Sequence, residues 1–147
     1  MINFTTTLSY GLRFLANLAQ ENHGPKQLKK VAEEEEISLL YLRKLIPPLE
    51  KAGLIRSIKG PGGGFILNRK PSRIHLSEII NVLSRNRIID CLKDPSNCKR
   101  KNECLVKDIW WEIYQKIQMI FKGKTLETIV RRQKRNKSKI GGKRWSI

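Results

Sequence analysis

The chain has 147 residues, of which 39% are hydrophobic, and a formal net charge of +17. This length suits one domain, with or without an appendage, and the modest apolar fraction suggests that some apolar surface is shared with a partner. No run of about 18 apolar residues is present, which excludes a membrane-spanning helix, and the N-terminus lacks the layout of a signal peptide, which favours the cytoplasm.

Much of the positive charge lies near the C-terminus. Residues 122–147 contain ten of the 30 Lys and Arg residues but one of the 13 acidic residues. So positive a segment attracts polyanions, and nucleic acid is the expected partner. A short helical piece can form at Leu126, Ile129 and Val130, but we predict that the basic segment from Arg131 onward lacks order when free and adds DNA affinity through phosphate contacts.

Two helices are predicted at the N-terminal end. The first covers residues 3–21, where apolar side chains recur at spacings of three and four: Phe4, Leu8, Leu12, Leu15 and Leu18. A shorter helix follows over residues 26–35. The acidic run Glu33 to Glu36 falls at its end, where the helix dipole disfavours negative charge, and we interpret this run as a solvated, mildly strained face.

Residues 38–68 predict a third helix followed by a β-hairpin. Ser38 is the expected N-cap of a helix whose apolar positions extend from Leu39 to Leu49 and which ends at Gly53, with residues 38–45 as the part before two prolines. Pro47 and Pro48 each remove a helical donor, which predicts a kink or break there. Strands are predicted at 54–58 and 65–67, with a turn through Gly60-Pro61-Gly62-Gly63-Gly64.

A helix followed by a basic hairpin is how a winged helix-turn-helix domain contacts DNA, with the helix in a major groove. We therefore predict a mainly α fold with a small β-hairpin, and double-stranded DNA as the partner. Base-edge contacts are assigned to the outward-pointing Tyr41, Arg43 and Lys44. Phosphate contacts are assigned to Ser38, Arg56 and Lys59. The wing glycines Gly62, Gly63 and Gly64 should let the backbone approach a groove where any Cβ would collide.

Two further helices are predicted in the C-terminal half. The first covers residues 76–83, and His75 beside its start is interpreted as a surface or capping residue rather than a ligand. Residues 104–121 form a long amphipathic helix with a broad apolar stripe: Val106, Ile109, Trp110, Ile113, Tyr114, Ile117, Ile120 and Phe121. Pairing with the same helix of a second copy fits this stripe better than burial in one core, so a homodimer is expected.

Three cysteines lie in or beside the loop between these helices, with the spacing Cys91-x6-Cys98-x5-Cys104. An odd number of cysteines without export argues for a metal or redox role. The spacing is not the CxxC of a structural zinc site, whereas an iron–sulfur cluster needs thiolates on a loop that can wrap a larger object. The three cysteines are therefore predicted as metal ligands, with inert or purely redox-active thiols as the alternative.

The third helix and the hairpin resemble the DNA-binding core of the Rrf-two family, whose members include IscR, NsrR and CymR. Residues 37–67 are ISLLYLRKLIPPLEKAGLIRSIKGPGGGFIL, in which GPGGGF is the most specific motif. The resemblance extends to about Phe121. It implies a winged helix-turn-helix transcriptional regulator, with repression as the expected action, that binds palindromic operators as a homodimer. Several members carry an iron–sulfur cluster on a similar three-cysteine loop, and a [2Fe-2S] cluster is preferred here to a [4Fe-4S] cluster.

The resemblance leaves the fourth cluster ligand open. The IscR branch has a histidine where this chain has Lys107, and the NsrR branch uses an aspartate of the partner's first helix, at a position that corresponds here to Ser9. Asp108, Glu103, a further thiol, or a solvent or small-molecule ligand are the other candidates. Arg43 stands where the IscR branch has a glutamate, so the operator sequence is not carried over. Family members also usually have a glycine near Glu36.

The alternative function is a cluster-free DNA-binding repressor of the CymR type, controlled by a partner protein. An enzyme and a small-molecule substrate are not expected, because no nucleophile–base pair stands out and GPGGG lacks the GK[ST] of a P-loop. An RNA-associated basic protein is compatible with the charge alone.

Four segments are predicted: a winged helix-turn-helix domain (1–84), a cysteine-bearing sensor loop (85–104), a dimerisation helix (105–121) and a basic, flexible tail (122–147). In the expected mechanism, gain, loss, oxidation or nitrosylation of the cluster reshapes the loop. The loop then alters the spacing of two recognition helices.

Overall fold

The computed structural model describes residues 6–20, 24–84, 98–100 and 102–139. Within these residues the chain forms six α-helices and one antiparallel two-stranded hairpin, which confirms the predicted fold class. In chain order the elements are α1 (Thr6–Gln20), α2 (Leu28–Glu35), α3 (Leu39–Lys51), β1 (Ile55–Ile58), β2 (Gly64–Leu67), a 3₁₀ helix (Pro71–Arg73), α4 (Leu76–Leu83), α5 (Lys107–Lys122) and α6 (Leu126–Lys139).

A single hydrophobic core joins α1, α2, α3, α4 and α6 and includes the start of the hairpin. Its largest fully buried side chains are Phe14, Leu15, Val31, Leu42, Leu49, Leu54, Ile55, Ile74, Ile79 and Leu126. Burying each of these side chains contributes about 1.5–3 kcal/mol. The core therefore fixes α3 against α1 and α4 and leaves one face of α3 to solvent.

The third helix runs without a break through Pro47 and Pro48 to Lys51, so the predicted break is wrong. The two missing donors would have bonded to the carbonyl groups of Arg43 and Lys44, one turn earlier. Both of those residues are exposed, so water can satisfy their carbonyl groups. Burial of apolar side chains on both sides of the prolines keeps the helix in register: Leu45, Ile46 and Leu49.

The hairpin pairs Ile55 with Leu67 and Ile58 with Gly64. Lys26 adds a single bridge beside β2, because its N–H donates to the Phe65 carbonyl at 3.0 Å and its carbonyl accepts from the Phe65 N–H at 2.8 Å. The backbone of Lys26 is thus extended. For this reason α2 begins at Leu28 rather than at residue 26 as predicted.

The basic segment after α5 is helical over residues 126–139. The short helical piece predicted around Leu126 and Val130 is therefore present, and it continues through residues 131–139, which the sequence predicts to lack order when free. Leu126 is fully buried, and Val130, one turn later, is 7% exposed. Its side chains pack with those of α1, and Gln20 of α1 donates a hydrogen bond to Gln133 at 2.9 Å. The last part of the predicted tail, residues 140–147, lies outside the described residues.

Candidate nucleic-acid interface

The outer face of α3 carries two cations. Arg43 and Lys44 are exposed, whereas Leu42 and Leu45 on either side of them are buried. Ser38, at the N-cap position, is also exposed, but its side chain makes no capping hydrogen bond. Ser38 thus occupies the predicted N-cap position, but the predicted hydrogen bond from the first turn of the helix to its hydroxyl group is absent.

Tyr41 differs from the two cations in its surroundings. Its side chain is half-buried, and its hydroxyl group lies 2.7 Å from Oγ1 of Thr7 on α1. Its ring meets the Tyr10 ring edge to face, with the centroids 5.2 Å apart, and the Arg13 guanidinium lies 5.8 Å from the Tyr10 centroid. The prediction that Tyr41 points outward is corrected: it joins the recognition helix to α1.

The tip of the hairpin exposes backbone and positive charge. Arg56 and Lys59 are exposed on the strand and at the turn. Gly60 and Gly62 have φ angles of +98° and +74°, which side chains disfavour. A Cβ atom on either glycine would meet no atom within 4 Å. The tip is therefore open to its surroundings, and the close approach of Gly62 to a DNA groove stays a prediction.

Gly63 and Gly64 serve the fold of the hairpin itself. A Cβ atom on Gly63 would lie 2.2 Å from the Ile58 carbonyl oxygen, and one on Gly64 would lie 2.3 Å from the Lys26 carbonyl oxygen. Both distances are far shorter than carbon–oxygen contacts permit. Glycine is therefore required at these two positions by the protein's own backbone. This requirement is separate from the predicted approach of the wing to a DNA groove.

An ionic network beneath the hairpin joins α1 to α2. Lys26 is 5% exposed, and its Nζ donates to Oδ1 of Asn17 at 2.7 Å and to Oε2 of Glu34 at 3.1 Å. Asn17 in turn donates to Glu34 at 3.0 Å and to Glu35 at 2.8 Å. Arg13 bonds Oε2 of Glu35 at 3.1 Å.

The acidic run is solvated as predicted at Glu33, Glu34 and Glu36, which are exposed, but Glu34 and Glu35 also take part in this network. The hydrogen bond from Asn17, followed by that from Lys26, holds the pKa of the Glu34 carboxyl group below its usual value. The sequence offered one signal: Asn17 is a polar residue among the core-facing positions of α1. Glu36, at the end of the run, has a φ of 53° in the left-handed region, the backbone conformation that a glycine would favour.

His75 connects α4 to the end of α5. Its backbone N–H donates to Glu78 at 3.2 Å, and its ring Nδ1 donates to the Lys122 carbonyl at 2.9 Å. Both contacts are structural, in agreement with the prediction that His75 is a surface or capping residue rather than a ligand.

The long helix α5 is open to solvent along one stripe. None of its residues is buried. Its exposed large apolar side chains are Ile109 (62%), Trp110 (39%), Trp111 (42%), Ile113 (40%), Met119 (64%) and Ile120 (59%), with Val106 (52%) just before the helix. Four of them, Val106, Ile109, Ile113 and Ile120, follow spacings of three, four and seven. Tyr114 and Ile117, on the neighbouring stripe, are half-buried. The helix therefore packs on α4 with one side and presents a second apolar side.

Two of the three predicted thiol ligands fall within the described residues. Cys98 and Cys104 are free and half-buried, and Lys99 and Arg100 beside Cys98 are exposed. Cys91 lies outside the described residues. Within the described part of the chain, no three His, Cys, Asp or Glu side chains converge as a metal site.

Comparison with known proteins decides the family. A family model described as Rrf2, iron-dependent transcriptional regulator, matches residues 4–132. The chain belongs to the Rrf2 family. IscR of Xenorhabdus nematophila is 29% identical to this Rrf2 chain over 133 residues, which are 90% of this chain and 81% of that protein.

Solved structures of Rrf2 regulators have the same fold. IscR of T. potens superimposes with a TM-score of 0.74 at 31% identity, over 90% of this chain and 88% of that one. CymR of B. subtilis, described as the global cysteine regulator of that organism, superimposes with a TM-score of 0.70 at 29% identity, over 88% of this chain and 97% of that one. The predicted family and the winged-helix fold are thus confirmed.

Membership of the Rrf2 family establishes this chain as a DNA-binding transcriptional regulator, and the prediction that it is not an enzyme is confirmed. The chain resembles both IscR and CymR, so relatedness leaves the choice between the two predicted modes of control open. In the described part of the chain, no helix has both the length and the apolar character needed to cross a bilayer.

Proposed function

We propose that this Rrf2 regulator binds a palindromic operator as a homodimer and reads bases with Arg43 and Lys44. The observation that carries this proposal is the exposed basic face of α3 beside a hairpin with an open glycine tip. Ser38, Arg56 and Lys59 hold phosphates at the start of the helix and on the wing. Tyr41, assigned earlier to a base edge, contributes by holding α3 against α1. Duplex DNA as the ligand also supports the predicted cytoplasmic location.

The base-reading role is tested by binding to a selected operator and to a scrambled duplex. Arg43→Ala should weaken binding to the operator by about 1–3 kcal/mol and leave scrambled DNA nearly unaffected, because a bidentate contact to guanine discriminates by that amount. Arg132→Ala, which removes one exposed charge from α6, is the matched control and should affect both duplexes equally. An equal loss on both duplexes with Arg43→Ala would refute the role.

The exposed stripe of α5 supports dimer formation. Two copies related by a twofold axis would bury Ile109 and Ile113 against the same residues of the partner. Their recognition helices could then enter successive major grooves about 34 Å apart. Ile109→Asp should give monomers in sedimentation experiments, whereas Lys116→Asp, exposed on the same helix, tests whether added negative charge alone has this effect. A wild-type chain that stays monomeric at micromolar concentration would exclude the dimer.

Control by an iron–sulfur cluster is the second part of the proposal. Cys91, Cys98 and Cys104 would supply three thiolates, the ligand type that such clusters take. Free thiols at Cys98 and Cys104, with Lys99 and Arg100 to balance negative charge, fit this donor set. The cluster, of the [2Fe-2S] type in our proposal, would supply sensitivity to oxidants, nitric oxide or iron supply. The cysteines lie in the segment between α4 and α5, through which a change in order would reach the dimer helix.

Anaerobic purification with an absorbance spectrum and iron and sulfide analysis tests the cluster. The wild-type chain should hold iron and sulfide in equal amounts, and Cys98→Ala and Cys104→Ala should each abolish the visible absorbance. A colourless wild-type protein would instead favour the second candidate, a cluster-free regulator controlled by a partner protein. Lys107 and Ser9, at the positions of the fourth ligand in relatives, favour that candidate because neither is a good ligand for iron at neutral pH.

A further inference from the structure

One large apolar side chain stands apart from the core and from α5. In residues 6–20 and 24–84, Leu40 is the only large hydrophobic residue that is exposed, with an exposed fraction of 66%. Isolated apolar residues are common on protein surfaces and need no explanation by themselves. The location of Leu40 is what distinguishes it, because it is the second residue of α3.

Leu40 shares the face of α3 with the two cations of the candidate interface. Residues three and four apart are neighbours on a helix surface, so Leu40 lies one turn before Arg43 and Lys44. All three are exposed, while Leu39 and Tyr41 beside Leu40 are half-buried and Leu42 is fully buried. The N-terminal turns of a recognition helix contact base edges. Leu40 is therefore an apolar side chain at the start of the face of α3 that would contact them.

We infer that Leu40 recognises a thymine by packing on its 5-methyl group in the major groove. This methyl group is the apolar feature of a base edge in that groove, and side chains that lack hydrogen-bonding atoms contact it. The cations at Arg43, Lys44 and Lys51 favour a polyanion on this face and disfavour the same face of a second copy. The inference rests on the proposed function, since it requires α3 to enter the groove.

The structure also separates the roles on this face by chemistry. Arg43 and Lys44 donate hydrogen bonds, which suits guanine, whereas Leu40 offers only van der Waals contact. Leu40 therefore contributes specificity for an A·T pair. Because Leu40 lies one turn of α3 before Arg43, this pair is close to the bases that Arg43 contacts. A serine or asparagine at this position would instead form a hydrogen bond with a donor or acceptor group on a base edge.

The test uses an operator selected from random duplexes with the full-length wild-type chain. Each thymine of one half-site is then replaced in turn by uracil, which keeps the hydrogen-bonding edge and lacks the methyl group. One position should weaken wild-type binding about fourfold, as expected from the burial of one methyl-sized group. Leu40→Ala should bind the thymine operator more weakly and show no further loss with uracil at that position. Leu40→Met, which keeps an apolar side chain, should stay sensitive.

Two controls keep the result interpretable. Leu40→Ala should keep the wild-type melting temperature, because the residue is exposed and alanine favours a helix, and Arg43→Ala should keep the sensitivity to uracil. An operator without any uracil-sensitive thymine, or equal sensitivity in the wild type and Leu40→Ala, would overturn the inference while the proposed function stands. Failure of the wild-type chain to select any duplex would overturn both.

Discussion

Tyr41 on the recognition helix and Thr7 on α1 are joined by a hydrogen bond of 2.7 Å between their hydroxyl groups. The two residues are 34 positions apart in the sequence, and the contact is reinforced by the Tyr10 ring. The orientation of α3, and hence the direction in which Arg43 points, depends partly on this contact. Tyr41, which the sequence predicts to contact a base edge, therefore also has a role in the fold.

Tyr41→Phe, which removes only the hydroxyl group, should lower the free energy of unfolding by about 1 kcal/mol, the typical net contribution of one hydrogen bond. Thr7→Val should have a similar effect in urea denaturation. Because both substitutions remove the same contact, the double variant should lose less than the sum of the two single losses. Strict additivity would show that the two hydroxyl groups do not interact in solution.

Glu36 at the end of α2 holds a left-handed backbone conformation. Glu36→Gly should raise the free energy of unfolding by about 1 kcal/mol, since a side chain in this conformation costs about that much. Glu33→Gly, an exposed substitution within α2, is the matched control and should lower it by about the same amount. The prediction is contradicted if chemical denaturation finds Glu36→Gly no more stable than the wild type.

Stability should fall in acid partly because of Glu34. Its carboxyl pKa is held below the ordinary value of 4.5 by Asn17 and Lys26, so the unfolded chain takes up a proton at a higher pH than the folded chain. This contribution is complete above the unfolded pKa and is lost as the pH falls through the folded one. Glu34→Gln should therefore flatten the fall in unfolding free energy below about pH 5.

Glu78 provides the matched control for this measurement. The hydrogen bond from Arg69 also lowers its carboxyl pKa, so Glu78→Gln should remove a separate contribution of the same sign, and the double variant should show both changes. A wild-type stability that does not change between pH 5 and pH 3 would contradict the prediction.

The wing glycines should separate into two classes on substitution by alanine. Gly62→Ala should cost about 1–2 kcal/mol of stability through its positive φ alone. Gly64→Ala should cost more, because its Cβ would collide with the Lys26 carbonyl group and force the hairpin away from α2. Thermal denaturation would rank the two variants. Equal melting temperatures would mean that the bridge between Lys26 and Phe65 is not maintained in solution.

The sequence predicted the helices and the hairpin where local pattern and packing agree. Regular apolar spacing located α1, α4 and α5, and the glycine-rich turn located the hairpin. The break that the sequence predicts in α3 at Pro47 and Pro48 does not occur. Burial of Leu45, Ile46 and Leu49 outweighs the local effect of the two missing donors. Such a tertiary contribution is not visible in residue propensities.

The other differences also arise from contacts between distant residues. Asn17, Lys26 and Glu34 form their network across α1 and α2, and no local spacing predicts this. Among the candidate site residues, exposure of Arg43, Lys44, Arg56 and Lys59 agrees with the pattern. The half-buried position of Tyr41 does not, because its partner Thr7 lies on another helix. The roles of all these residues on DNA stay predictions.

Burial of Leu126 and Val130 in the core has a consequence for biosynthesis. During translation, residues 6–84 emerge well before α6, so a nascent chain holds the recognition helix while two core positions are still empty. A chain that ends before α6 would lack these two side chains, and the α1 surface that they cover would be exposed to solvent. We therefore expect such a truncated chain to be less stable, and more readily cleaved by proteases, than the chain that includes α6.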